Sequence, residues 1–301
     1  MGRKVAHVNN TAGVASILSS QQKKIGHIVD IFVFDSITQK LFGGKKINYR
    51  FPISKWKFFN SLRKYDIWHY HYPYGKLKDE LEKRKHDRLL IKHYHGDDLR
   101  GRAELDECLV STPDLLKWAP KGTWLPNPIN IIEIEDLYLR EVGPRRQNEN
   151  ALPKVGYYPF FKYYPGQDFV RSALFDLYEK GKLIPIEIFD LNHSDALSRI
   201  NECDVIVGKI LPDIGWYGQF EIESIVLRKP VICYISDELY DKYTPPFYRT
   251  SKDTFRTDLA ELIEDLDTRK ALALEGINYV KKYHDITKAI SMLEEIYARQ
   301  S

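Results

Sequence analysis

Residues able to do chemistry concentrate between Lys209 and Glu223. An apolar run over 204–208 ends at Gly208 and Lys209. Glycines follow at 215 and 218, a helix-like segment comes next, and Lys229-Pro230 leads into a second apolar run over 231–235. The order is strand, glycine loop, helix, strand. Free backbone N–H groups at such a helix start, with the positive end of the helix dipole, favour an anion such as phosphate. Gly218 and Gln219 stand at that start, and Lys209 adds a cation at the end of the preceding strand. Glu223 falls in the second turn, where its carboxylate can reach a hydroxyl beside the anion. A ligand-free doubly wound domain would show the same order of elements, so this stretch does not decide the matter alone.

A second group of candidates lies in the first half. The segment 88–94 reads as a strand ending at His95, and ligands of open α/β sheets gather beyond the carboxyl ends of strands. A neutral imidazole there can hydrogen-bond a sugar hydroxyl. In the strand 66–71, His69 and His71 fall on one side because strand side chains alternate. Two histidines at that spacing can bind a metal, but no carboxylate or thiol cluster accompanies them in the sequence. A ligand-lining or hydrogen-bonded structural role is the expectation, with no metal site. Acceptor contacts are assigned to His71 and Tyr72, with Tyr74 nearby.

These positions need a scaffold. The strand 5–8, a polar turn through Asn10 and Gly13, a helix carrying Val14, Ile17 and Leu18, and the strand 28–34 make a β-α-β unit with a right-handed crossover. Gly13 either admits a ligand close to the backbone or serves an ordinary tight turn. The segment 54–65 mixes Trp56, Phe58, Phe59 and Leu62 with Lys55, Lys57, Arg63 and Lys64. It could lie on an anionic membrane, though packing on its own sheet is the simpler reading. The polar segment 143–150 contains Pro144 and no apolar period, so the interdomain connection is placed near it. Strands over 154–158, 185–189, 204–208 and 231–235 then alternate with helices. Two doubly wound parallel-sheet α/β domains are expected, over 1–145 and 153–285, followed by a C-terminal helix in 286–301.

The 301 residues are 43% apolar and 13% aromatic, enough for two cores and incompatible with global disorder. The net charge of +3 requires no nucleic-acid partner, and basic residues are interspersed with acidic ones. Cys108, Cys203 and Cys233 are widely spaced and odd in number, which argues against disulfides and a zinc site and for reduced thiols in a cytoplasmic protein. No segment approaches the roughly 20 apolar residues of a membrane span, so membrane contact is expected to be peripheral at most.

Several segments resemble retaining GT-B glycosyltransferases of family four, the glycosyl transferases group 1. Gly218, Glu223 and Pro230-Val231-Ile232 fall at that family's spacing for the helix that holds a nucleotide-sugar donor. Asn10-Thr11-Ala12-Gly13-Val14-Ala15-Ser16 is similar to the loop facing the donor diphosphate. His95-Gly96-Asp97-Asp98-Leu99-Arg100 resembles the loop whose His lies near the transferred sugar, and Leu125-Pro126-Asn127-Pro128-Ile129 the close of the first domain. The resemblance implies two Rossmann-like domains facing a cleft, a last helix crossing back to the first domain, and a nucleoside diphosphate sugar as donor with no separate cofactor. It assigns Gly13, Gly218, Gln219 and Glu223 to the donor, and His95, Lys162 and Lys209 to catalysis. Two departures matter. Pro165 occupies the usual position of a lysine, for which Lys162 could substitute, and Gly215 replaces the first of two glutamates, with Asp213 two residues before.

The leading expectation is therefore a metal-independent, hexosyltransferase-like enzyme moving a sugar, with retention, to a carbohydrate, lipid or small-molecule acceptor. The alternatives are a GT-B protein that binds a sugar nucleotide without turnover and a sugar-nucleotide epimerase, which would need an acid and base pair beside the sugar. A nucleic-acid binder is the weakest alternative. Base, sugar, acceptor and oligomeric state are not specified by these residues.

Overall fold

The computed structural model describes residues 2–142 and 151–299. The chain forms two units, Met1–Ile129 with His284–Ser301, and Asn130–Tyr283. In the first, β1 (Lys4–Val8), α1 (Val14–Lys24), β2 (Ile28–Val33), α2 (Ser36–Phe42), β3 (Lys45–Lys46), α3 (Pro52–Leu62), β4 (Ile67–His71), α4 (Gly75–Arg84), β5 (Leu89–Tyr94), β6 (Cys108–Val110) and β7 (Gly122–Trp124) follow in order. The strands pair in the order β3-β2-β1-β4-β5-β6-β7, all parallel.

Side-chain alternation sorts this sheet into two faces. Val5, Ile67, Ile91 and Leu109 meet Val14 and Leu18 of α1 on one face, where Ile290, Leu293 and Tyr297 also pack. Ala6, Val8, Trp68 and Tyr70 meet Phe58, Phe59 and Leu62 of α3 and Leu81 of α4 on the other. Strands covered on both sides have no solvent face, which is why they read as near-continuous apolar runs. The aromatic helix expected over 54–65 thus packs on its own sheet through Phe58, Phe59 and Leu62, while Trp56 remains 66% exposed.

The second unit contains α5 (Ile131–Val142), β8 (Lys154–Tyr157), α6 (Asp168–Glu179), β9 (Ile184–Glu187), α7 (His193–Asn201), β10 (Val205–Val207), α8 (Gln219–Val226), β11 (Val231–Cys233), α9 (Asp237–Tyr243), β12 (Tyr248–Arg249), α10 (Phe255–Glu264) and α11 (Leu266–Tyr283). Its strands run parallel in the order β12-β11-β10-β8-β9. Val155, Val205, Val207 and Ile232 pack against Leu174 of α6 and Leu259 and Leu262 of α10.

The division falls at Ile129 and Asn130 instead of near 143–150, a segment outside the described residues. The cause is α5, which packs on α7 and α8 and buries Ile131 and Ile134. The last helix, α12 (Ile286–Arg299), belongs to the first unit. Its start is tied beside the end of the first segment: Ile129 N–H donates to the His284 carbonyl (2.8 Å) and Ile286 N–H to the Ile129 carbonyl (3.1 Å). His284 Nδ1–H donates to the Asn127 carbonyl (2.8 Å), and burial pushes the His284 pKa down to about 4. No helix among the described residues is long and apolar enough to cross a membrane.

Candidate functional site

In the second unit the strand order reverses between β8 and β10, and a doubly wound sheet binds ligands beyond the carboxyl ends of the strands at such a point. The chain leaves β10 through Gly208 and Lys209 and enters α8 after Gly218. Glu221, which the motif reading passed over, locks this loop. Its fully buried carboxylate accepts the N–H groups of Lys209 and Gly218, each at 2.8 Å. A Glu three residues after the capping position is a recognised helix-start pattern, so Gly218-x-x-Glu221 was the available signal. Gly218 itself has no side chain to cap the remaining first-turn N–H groups.

Lys209 bends back over this helix start. A Cβ at position 218 would collide with its Nζ, so glycine leaves the room the ammonium occupies. Lys209 is paired with no carboxylate among the described residues, and its Nζ lies 5.9 Å from the centre of the Phe160 ring. One turn further along α8, Glu223 is 8% exposed. Its Oε1 accepts from Gln219 Nε2 at 3.2 Å and lies 2.8 Å from Nε2 of the exposed His193 at the start of α7. That hydrogen bond raises the His193 pKa above its ordinary value, although partial burial opposes it. Gln219 Oε1 is buried and unpartnered among the described residues. His193 had no distinguishing sequence signal, because its partner is thirty residues away on another helix.

Lys162 is placed differently from its expected role. Its ammonium pairs with Glu187 at 2.9 Å and stands 3.7 Å over the Phe189 ring centre. Glu187, drawn to lower pKa chiefly by Lys162, also accepts from Tyr157 at 3.0 Å. Beside this pair Tyr158 contacts Phe160, Tyr163, Phe189 and Phe220, with ring centres 4.9–6.1 Å apart. Gly215 adopts φ +67° and a Cβ there would meet the Ser236 Cβ at 3.0 Å. A side chain at 215, including the glutamate of the resembled family, would therefore be strained in this turn.

In the first unit the expected loop after β1 is closed on itself. Gly13 has φ +75°, and a Cβ on it would touch Phe42 at 3.0 Å, so its missing side chain accommodates α2. Asn10 Nδ2 donates to Ser16 Oγ (2.8 Å) and the Phe42 carbonyl (3.2 Å). The tight-turn reading describes Gly13 better than the open-loop one. The loop after β5 is likewise wired internally, since Asp98 accepts the N–H groups of His95 (3.0 Å) and Gly96 (2.7 Å). Burial still pushes Asp98 up to about 6.

His95 is one of five histidines brought together by three adjacent strands. Register places His7 opposite His69 and His71 opposite His93, and all five lie on the face that α1 and α12 cover. His7, His69, His71 and His93 are fully buried, while His95 is partly exposed. The rings form two hydrogen-bonded branches. His95 Nε2 meets His71 Nδ1 (3.0 Å), His71 Nε2 meets His7 Nδ1 (2.9 Å), and His7 Nε2 meets Gln22 Oε1 (2.8 Å). Gln22 Nε2 reaches the Tyr297 hydroxyl (3.1 Å), which meets His69 Nδ1 (3.2 Å), and His69 Nε2 meets His93 Nδ1 (3.1 Å). Desolvation drives every ring toward the neutral form, with His7 lowered to about 4 and His95 to about 3. His69, His71 and His93 are also shifted well below their ordinary value, by burial first and by other histidines of the five second. Both nitrogens of His71, expected at the acceptor, are thus hydrogen-bonded within the cluster. Tyr72 follows it as a partly exposed residue with φ +59°. His69 and His71 do share a face, but their company was not readable from either motif.

No family model matches this sequence, and no curated protein matches it closely. Among solved structures, a glycosyltransferase from Rickettsia africae ESF-5 is 12% identical with TM-score 0.63, covering 99% of this chain and 98% of its own. UDP-GlcNAc 2-epimerase from Neisseria meningitidis, bound to UDP-GlcNAc, is 12% identical with TM-score 0.55, covering 99% and 100%. The wall teichoic acid polymerase TagF is 11% identical with TM-score 0.50, covering 99% and 88%. Together with the two parallel sheets, of seven and five strands among the described residues, these likenesses give the chain the GT-B fold.

Proposed function

We propose that the protein is a glycosyltransferase that takes a sugar from a nucleoside diphosphate donor, of the retaining family-four type that its motifs resemble. The observation that carries this reading is the Lys209 ammonium held over the start of α8, one turn before Glu223. As the glycosidic bond breaks, the departing diphosphate gathers negative charge. A cation and N–H dipoles fixed beforehand at that charge lower the barrier most effectively, because they need not reorganise. Lys209, Gly218 and the first turn of α8 supply that environment, and Gln219 Oε1 and Glu223 offer acceptors for donor hydroxyls. Tyr158, Tyr163 and Phe189 present faces on which a nucleobase can stack. Lys162 is left out of the leaving-group role because Glu187 and Phe189 hold it. With the charge met by Lys209 and the helix, diphosphate departure needs no magnesium.

The test is release of nucleoside diphosphate from a panel of nucleotide sugars, with and without added Mg2+, using Glu223→Ala and Lys209→Gln as controls. Magnesium-independent release lost in both variants is expected. Interconversion of the sugar with the nucleotide still attached would assign the chain to epimerisation instead, and stabilisation by ligand without any product would assign it to binding. Activity that depends on added magnesium would overturn the leaving-group assignment.

A further inference from the structure

The histidine ladder contains an unfinished hydrogen bond. Gln22 Oε1 can only accept, so His7 carries its proton on Nε2 and accepts at Nδ1 from His71 Nε2–H. His71 Nδ1 then accepts from His95 Nε2–H. The other branch ends at His93, whose Nε2 is fully buried and has no partner among the described residues. A buried polar group left without a partner destabilises the folded state, which makes this nitrogen the place where a ligand would stabilise the fold.

We propose that His71, His93 and His95 form a binding site for a first-row transition cation of the Zn2+ class. One ring nitrogen from each lies within 4.8 Å of the others. His71 offers Nδ1 and His95 offers Nε2, already 3.0 Å apart, and His93 offers the unused Nε2. A tetrahedral ion with Zn–N bonds of about 2.0–2.1 Å holds its donors roughly 3.3 Å apart, so modest ring rotations complete the set. The donors are imidazoles alone, which suits Zn2+, Co2+ or Ni2+ and not the oxygen-seeking Mg2+ or Ca2+. Rings kept neutral by burial present lone pairs with no proton to displace into solvent. The proton on His93 Nε2 moves to Nδ1 of the same ring, His69 then accepts it at Nε2 and carries its own proton on Nδ1 toward the Tyr297 oxygen, and the proton on His95 Nε2 moves to Nδ1. Outer partners are already in place, as metal-bound imidazoles require: His71 leans on His7 and Gln22, and His93 on His69. His95, being partly exposed, provides the access route and leaves a fourth coordination position for water or a ligand hydroxyl.

The other candidate trio, His7, His69 and His71, is a poorer site. It is wholly buried, and the nitrogens of His7 and His69 are consumed by Gln22, His71, Tyr297 and His93. The proposal does not depend on the transferase reading, because its ligands belong to the first unit and its readout is metal binding.

The experiment uses the full chain, stripped of metal with a chelator, desalted, and titrated with Co2+ followed by Zn2+. One equivalent of Co2+ with visible d–d absorption, displaced by one equivalent of Zn2+, is expected, with a rise in thermal midpoint. His93→Ala and His95→Ala, each checked for folding by circular dichroism, should weaken Zn2+ binding at least tenfold, whereas His86→Gln should not change it. A wild-type chain that takes up neither cation overturns the proposal whatever the variants do. So does Zn2+ binding that survives unchanged when His93 and His95 are both replaced in a folded protein.

Discussion

Nε2 of His193 lies 2.8 Å from Oε1 of Glu223, so the carboxylate expected to grip a donor hydroxyl is already engaged by an imidazole of the same unit. The bond favours imidazolium, and the His193 pKa is raised. Its stabilising contribution is fully present below the unfolded histidine value of about 6.5 and is lost as pH rises through the raised folded value. The thermal midpoint of wild type should therefore fall across that window relative to Glu223→Gln, and an NMR titration of His193 should show a pKa that drops in the variant. An unchanged His193 titration in Glu223→Gln would refute the pairing as its cause.

Lys209→Gln removes the cation placed at the start of α8 while keeping much of its length. A charge-assisted hydrogen bond contributes about 1.5–3 kcal/mol, so affinity for a nucleoside diphosphate should fall roughly 10- to 100-fold. Affinity for the corresponding nucleoside should barely move. Calorimetric titration of both ligands on both proteins measures the difference, and equal losses for the two would show that Lys209 acts on the fold and not on phosphate.

Introducing by Gly215→Glu the glutamate that the resembled glycosyltransferases carry at this place should not improve activity. The left-handed backbone and the Ser236 contact make any side chain there strained, at a cost of roughly 1–3 kcal/mol. Gly215→Ala should lose stability of the same order in urea unfolding. A neutral Gly215→Ala would mean that the turn relaxes readily and that the absent glutamate needs another explanation.

Glu104 in the first unit is buried between two ammonium groups, Lys78 at 2.9 Å and Lys92 at 2.9 Å, and also accepts from the Tyr94 hydroxyl. Burial alone would raise its pKa, but these hydrogen bonds outweigh it and lower it to about 2. Its folded pKa is depressed, so its contribution is present above the unfolded value of about 4.3 and is lost as pH falls toward 2. Glu104→Gln leaves the buried Lys92 with the more exposed carboxylates of Asp106 (3.2 Å) and Glu82 (3.5 Å) and should destabilise by about 1–3 kcal/mol at neutral pH. Chemical denaturation at pH 7 and at pH 3 should show the gap between the proteins narrowing with acid.

Sequence periodicity was enough to reveal the alternation of strands and helices, because apolar period, glycine turns and helix starts are properties of neighbouring residues. Gly218, Glu223 and Lys209 could be assigned to one loop and one helix on the same grounds, and Glu221 was within reach through its capping spacing. Partner choice lay beyond such local rules. Lys162 meets Glu187, Glu223 meets His193, and α5 joins the second unit, each through contacts across distant segments. The five histidines show the limit most sharply. Each strand records only that its own one or two share a face, whereas the order β1-β4-β5 and its register turn separate pairs into one buried cluster. Sheet order is settled by which crossovers bury the most apolar surface, a property of the whole chain, and so the cluster exists only in the folded protein.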